Sequence, residues 1–207
     1  DQRTMILARL LGHLFGDGTF ILKDHVGRLT FRGIKEDLET LQDDIKSLGF
    51  KPEKIYIKTY TGEINTIKGK RLKIFGKGAS FEVRSKPLAL LFGVLGAPNG
   101  DKVKNDLMIP KWILNAPKYI KREFIGAYFG SELSSPALRN NSKTNFRTLR
   151  FKLSKINKKV SSGLKFIDQI KVLLNEFGII VSSVTKEEGN IRKDGEKTTF
   201  LVANINS

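Results

Sequence analysis

Apolar positions along the chain switch repeatedly between helical and strand periods. Ile6, Leu7, Leu10, Leu11, Leu14 and Phe15 recur at helical spacing and predict an apolar helix over residues 5–15, stopped by Gly16-Asp17-Gly18. A short strand over 19–22 and an alternating strand over 28–32 follow. Leu38, Leu41, Ile45 and Leu48 form one face of an amphipathic helix over 35–48, with Gly49 as its C-cap. Alternation returns over 55–60, 72–75 and 80–84, before a helix over 86–95. A second series opens with an apolar helix over 118–130, ending at Gly130-Ser131-Glu132. It continues with a strand over 146–153, an amphipathic helix over 160–177 capped by Gly178, and strands over 179–185 and 198–205.

The order of elements therefore repeats: apolar helix ending near an acid, strands, amphipathic helix ending in Gly, strands. This is one long-period duplication and not a solenoid. It divides the chain into a first half, 1–98, a linker, 99–118, marked by Asn99, Gly100, Pro110 and Pro117, and a second half, 119–207.

Composition narrows the chemistry. The 207 residues are 40% hydrophobic, enough for a packed core, and contain no Cys and only His13 and His25. Disulfide scaffolds, thiol nucleophiles, Cys-ligated zinc and His-rich metal sites are excluded or demoted. No apolar run approaches the ~18–20 residues of a membrane helix, and residues 1–5 lack the pattern of a secretory leader, so an intracellular protein of the cytoplasm or nucleoid is expected. The formal net charge is +16. Residues 1–118 hold 21 of the 37 basic and 13 of the 21 acidic side chains, which leaves a surplus of +8 on each side of position 118. Both halves thus call for a polyanionic partner.

The two apolar helices share a motif. Gly12 precedes Asp17 by five residues, and Ala127 precedes Glu132 by five. Small residues inside a helix make sense where two backbones approach closely, since Gly otherwise costs about 1 kcal/mol there. Helices crossing at Gly12 and Ala127 would bring Asp17 and Glu132 together. Two neighbouring carboxylates repel, and divalent cations would compensate them. Oxygen ligands without Cys or His favour Mg²⁺, and paired metals suit in-line attack on phosphate. His13, on the apolar helix, is expected to pack and not to catalyse.

On these residues the sequence resembles the LAGLIDADG homing endonucleases, in their single-chain, two-motif, intron-encoded form. Residues 10–18, LLGHLFGDG, carry the first motif, and residues 124–132, FIGAYFGSE, the second, with Ala127 in place of the usual Gly and Leu133 after the acid. An alternative register would put Ser131 at the second catalytic position; Glu132 preserves the five-residue offset. The resemblance implies an α+β fold of two pseudo-symmetric αββαββα halves, with antiparallel saddle sheets packed through the two motif helices. It implies a monomeric endonuclease cutting both strands of double-stranded DNA at a long, asymmetric site, with two or three Mg²⁺ ions shared between Asp17 and Glu132. The family also includes catalytically inactive DNA-binding derivatives and RNA maturases. A third class, a membrane-surface or acidic-protein binder, would need only the charge.

The strand faces supply the expected DNA contacts. Arg28, Thr30 and Arg32 share one face; Tyr56, Lys58 and Tyr60 form a second polar row; Arg71 and Lys73 alternate with Leu72 and Ile74; Arg150 and Lys152 alternate with Phe151 and Leu153. A two-stranded ribbon fits the B-DNA major groove, where such side chains reach bases and phosphates. Lys35 and Lys155, near element ends, are the expected cations for the scissile phosphate.

Overall fold

The computed structural model describes residues 1–65, 71–138 and 144–206. Helix α1 (Gln2–Phe15) is capped by the Asp1 carboxylate, which accepts from the Arg3 N–H at 3.0 Å. It leads into a hairpin, β1 (Thr19–Lys23) and β2 (Val26–Gly33), then α2 (Lys35–Ser47), β3 (Tyr56–Asn65), β4 (Arg71–Arg84) and α3 (Lys86–Val94). The four strands form an antiparallel sheet in the order β1-β2-β4-β3. The αββαββα order expected for a half is present here.

After a crossover containing the short helix α4 (Lys111–Leu114), the second half runs α5 (Lys118–Glu132), β5 (Leu149–Ile156), α6 (Val160–Asn175), β6 (Ile180–Ile191) and β7 (Lys197–Asn206). Its antiparallel sheet has three strands, ordered β5-β7-β6. The expectation of a second αββαββα unit is corrected here: among the described residues the order is αβαββ. Only isolated bridges, Leu133 to Phe151 and Leu138 to Phe146, occupy the place of the missing hairpin partner.

Two boundaries also moved. The strands expected over 72–75 and 80–84 are one 14-residue strand, because Gly76 and Gly78 pair across the ladder with Tyr60 and Lys58. Helix α5 runs past Gly130 to Glu132, since nothing requires Gly130 to leave helical geometry, and the Leu133 N–H still reaches the Phe129 carbonyl at 3.1 Å.

Helix α1 is apolar on nearly every side because it is covered from nearly every side. Leu10, Leu11, Leu14 and Phe15 are all buried. Phe15 meets Phe124 of α5 edge-on at 5.4 Å and stacks on Phe166 of α6 at 5.8 Å. One hydrophobic cluster runs through both halves, with α1 and α5 at its centre.

Candidate active site and nucleic-acid interface

Helices α1 and α5 cross where the sequence is smallest. A Cβ added at Gly12 would overlap the Phe124 carbonyl oxygen and lie 3.1 Å from Ala127 Cβ. A Cβ at Gly16 would overlap the Ser131 hydroxyl. The helix ends are therefore in contact, and the Ser131 hydroxyl accepts from the Asp17 N–H at 3.3 Å. Ser131, the alternative second acid position, is engaged in holding the backbone of Asp17.

Asp17 lies two residues beyond the end of α1 and is exposed, whereas Glu132 is the last residue of α5 and half-buried. Burial raises the Glu132 carboxyl to about 7; the Lys102 charge opposes this and the Asp17 charge adds to it. The third member of the group is Lys102, in the crossover, which the sequence reading did not single out. Its ammonium lies 3.2 Å from the carbonyls of Leu14 and Phe15, 2.9 Å from that of Gly18, and also on that of Gly16. It caps the negative end of the α1 dipole. Burial brings it down to about 8, against the pull of Glu132 and Asp17. No local signal in the sequence distinguishes Lys102 from other crossover lysines; only the path of the chain delivers it.

The two lysines expected to serve the phosphate lie elsewhere. Lys35 is exposed at the start of α2, pairs with Glu39 at 3.2 Å, and lines a separate surface depression with Gln42 and Lys46. Lys155 is fully buried, its ammonium bonded to the carbonyls of Lys102 (2.5 Å) and Asn105 (2.7 Å). The reason is the strand period: Lys155 shares the inward parity of Phe151 and Leu153. His13 packs as expected, stacked on Phe31 with Nε2 2.9 Å from the Arg32 carbonyl, and burial lowers its pKa.

The sheet faces divide the remaining residues. In the first sheet Arg28, Thr30 and Arg32 share their face with Ser80, Glu82 and Arg84, and with Tyr56 and Lys58. Arg32 is exposed and donates to Thr19 Oγ1 (2.7 Å) and the Asp17 carbonyl (3.3 Å). Tyr56 and Lys58 are exposed; the Tyr60 side chain lies outside the described residues. Thr30 on the same face is buried, 3.4 Å from Glu82, which also sits 3.7 Å from Arg28 and 3.0 Å from Arg84. Arg71 and Lys73 form a separate row. The unbroken β3–β4 register pairs them with Asn65 and Glu63 and puts them on the opposite face from Lys58. In the second sheet Arg150 and Lys152 are exposed on one face, with Lys152 paired to Glu187 at 2.8 Å and its ammonium 4.4 Å from the Phe200 ring. Two acids, Glu82 and Glu187, thus lie inside the basic rows.

As for metal chemistry, the described residues contain no cluster of three or more His, Cys, Asp or Glu side chains. The donors that remain for a metal are the Asp17 and Glu132 carboxylates, because the Lys102 ammonium already sits on the helix-end carbonyls. That is an all-oxygen set, and it fits a hard divalent ion such as Mg²⁺.

No family model matches the chain. Over 205 residues, 99% of its length, it is 49% identical to a stretch forming 15% of the DNA-directed RNA polymerase subunit Rpo1N of Methanocaldococcus jannaschii. It is 30% identical over 179 residues, 86% of its length, to 9% of the replication factor C small subunit of the same organism. It is 32% identical over 183 residues, again 86% of its length, to 18% of the tRNA-splicing ligase RtcB of Methanopyrus kandleri. The chain spans less than a fifth of each of these relatives. Among solved structures it is similar to the homing endonuclease I-WcaI bound to its DNA recognition sequence, with a TM-score of 0.48, 14% identity, 96% of this chain and 75% of that one covered. It is also similar to the LAGLIDADG meganuclease I-CpaMI bound to uncleaved DNA, with a TM-score of 0.42, 11% identity, 95% and 78% covered. One of these two structures is a homing endonuclease and the other a LAGLIDADG meganuclease, each bound to DNA.

Proposed function

We propose that the chain is a monomeric, divalent-metal-dependent endonuclease of the LAGLIDADG family, cutting both strands of double-stranded DNA at a specific long site. The observation that carries this reading is the meeting of Asp17, Glu132 and Lys102 at the abutting ends of α1 and α5, between two sheets that expose Arg32, Lys58, Arg150 and Lys152. The basic rows grip phosphates and place the duplex across both sheets, while side chains between them reach base edges. Asp17 and Glu132 hold the metal, each serving one strand; when bound, the metal supplies an activated water and neutralises charge on the phosphate. Lys102 presents a cation to the oxygen on which charge develops. Glu132 sheds its proton as pH rises through about 7, which readies it to bind a cation.

The relatives bear on how the segment is carried. One stretch of sequence matches 9–18% of three proteins whose names share no activity. That supports a mobile segment carried in frame within host proteins, in place of the intron origin that the sequence suggested. The host activities named there are not part of this reading.

A metal-free DNA-binding derivative has one observation in its favour: Lys102 already occupies the carbonyl ring beside the acids. A randomised linear-duplex library, incubated with and without Mg²⁺, separates the two readings. Recovery of cut duplexes with Mg²⁺ from the native chain, and binding without cutting by Asp17→Asn and Glu132→Gln, is the expected result. Full cleavage by Glu132→Gln would remove Glu132 from the site, and sequence-specific binding with no cutting in Mg²⁺ would favour the derivative.

A further inference from the structure

Residues 99–107 form a strap between the halves. At its start it is tied to the first half: the Gly100 N–H reaches the Phe20 carbonyl at 2.9 Å, and the Asn99 amide exchanges two hydrogen bonds with the Leu22 backbone, at 2.9 and 3.1 Å. From residue 101 onward it is tied to the second half. Arg192 pairs with Asp101 at 2.6 Å, Lys159 with Asp106 at 2.8 Å, and the Ser162 hydroxyl accepts from the Leu107 N–H at 3.1 Å. Within this strap Lys102 points its side chain back onto the end of α1, beside Asp17 and Glu132.

The tether closest to Lys102 is Lys155. This side chain is fully buried, and its ammonium donates to the carbonyl of Lys102 itself and to that of Asn105. The next residue, Ile156, donates its N–H to the Val103 carbonyl at 3.2 Å. Burying an ammonium on neutral carbonyls is unfavourable compared with an apolar side chain of the same volume. The position is packed: a Cβ at Gly163 would meet the Lys155 Cγ at 2.9 Å and Leu201 Cδ1 at 2.6 Å. A methionine would fill the same inward slot of β5 without that cost. What methionine lacks is the pair of N–H groups that fix the backbone on both sides of Val103.

We propose that Lys155 is a positioning residue: from the second half it holds the backbone of the strap, and thereby places the Lys102 ammonium of the active site against the end of the first half's motif helix. The role rests on the nuclease reading for its catalytic consequence but not for its geometry. Lys155 itself does not touch substrate. The cation of the site is contributed by neither motif helix; its position is set where the two halves are stitched together.

The test is a double-mutant cycle of Lys102→Met and Lys155→Met in the 207-residue chain. Single-turnover cleavage of a selected duplex, duplex Kd and Tm are measured for each variant. Lys155→Met is expected to slow cleavage about 10²-fold, the scale of a 1 Å misplacement, with Kd within about twofold of native and Tm unlowered. In the Lys102→Met background it should add no further loss, because both act through one ammonium. Multiplicative losses, or native cleavage by folded Lys155→Met, would overturn the proposal. An arm independent of activity follows acetylation of Lys102 by mass spectrometry: its rate should rise about tenfold in Lys155→Met. An unchanged rate overturns the proposal even if the chain cuts nothing, while a raised rate in a chain that cuts nothing removes the nuclease reading alone. If Lys155→Met does not fold, Arg192→Gln loosens the same strap through Asp101. A several-fold loss that disappears in the Lys102→Met background supports the placement, and a loss that persists there overturns it.

Discussion

The two motif helices were built from one pattern and finished differently. Aligned through Gly12 with Ala127 and Asp17 with Glu132, Leu11 and Phe15 of α1 correspond to Gly126 and Gly130 of α5. Leu11 and Phe15 are buried, and Phe15 stacks on Phe166 of α6, so the second half is filled. Gly126 and Gly130 face open space, and beside them lies a cavity of about 720 Å³, lined also by His13, Leu41 and Asp17. The ion pairs differ as well. Arg9 ties α1 to Asp44 of α2 (3.0 Å) and across the interface to Glu123 of α5 (2.9 Å). Among the described residues Lys121 pairs within its own half, with Glu176 at 2.7 Å. On the second half's side α1 is covered by aromatics, whereas on the first half's side α5 borders an open depression beside the Arg9 ion pairs. The crossing point, by contrast, leaves no room for a side chain at Gly12 and tolerates only the methyl of Ala127 against it. Pseudo-symmetry is thus enforced at the helix contact and relaxed a turn away from it.

The largest way to break this comparison is at the acids. Asp17→Asn and Glu132→Gln are each expected to lower double-strand cleavage by at least about 10³-fold, with retained duplex binding, measured by cleavage and gel-shift assays side by side. A nicked product specific to each variant would show that each acid serves one strand.

The next largest effect lies at the crossing. Gly12→Val places side-chain atoms on the Phe124 carbonyl and should destabilise by roughly 3 kcal/mol or more, the upper range of overpacking; denaturant unfolding measures it. The opposite sign is expected where α5 faces space. Gly126→Ala and Gly130→Ala should each stabilise by about 1 kcal/mol, the helix-propensity difference. Destabilisation by either would show that the void is not open to a methyl group.

The smallest effect is in pH. The Glu132 carboxyl sits at about 7 in the folded protein, above its ordinary value of 4.5. The stability it contributes is therefore fully present below 4.5 and is lost as pH rises through 7. In EDTA, Tm should fall modestly over that window, and Glu132→Gln should remove this part of the slope. Lys102 has the opposite sign. At about 8, below its usual 10.5, its contribution is present above 10.5 and lost as pH falls through 8. A slope between pH 5 and 7 that Glu132→Gln leaves unchanged would contradict the burial of Glu132, since the lowered His13 pKa acts with the opposite sign over the same window.

Several features of the site were legible in the chain. Gly12, Ala127 and the five-residue offsets to Asp17 and Glu132 follow from helix geometry, in which small residues and helix ends have fixed relative positions. The inward parity of Lys155 was legible too, since it lies an odd number of residues from Lys152 and Arg150. For Arg71 and Lys73, alternation identifies two faces without saying which is which; the register with β3 decides that. Glu82 and Glu187 enter the basic rows only through cross-strand pairing with β2 and β7. That the described residues of the second half lack a first hairpin strand had no signature, because the sequence over 134–148 carries turn-forming and alternating positions together.

By itself the sequence determined the local units: two apolar helices that need cover on every side, two sets of antiparallel strands, a duplicated order and a basic charge shared equally. These depend on period and composition, which are properties of neighbouring residues. Tertiary structure alone decided which cation joins the acids, which lysine is sealed inside, and which half keeps a cavity. Those outcomes depend on contacts between residues 50 to 115 positions apart, such as Lys155 with Lys102 and Arg9 with Glu123. No periodicity within a segment encodes such contacts.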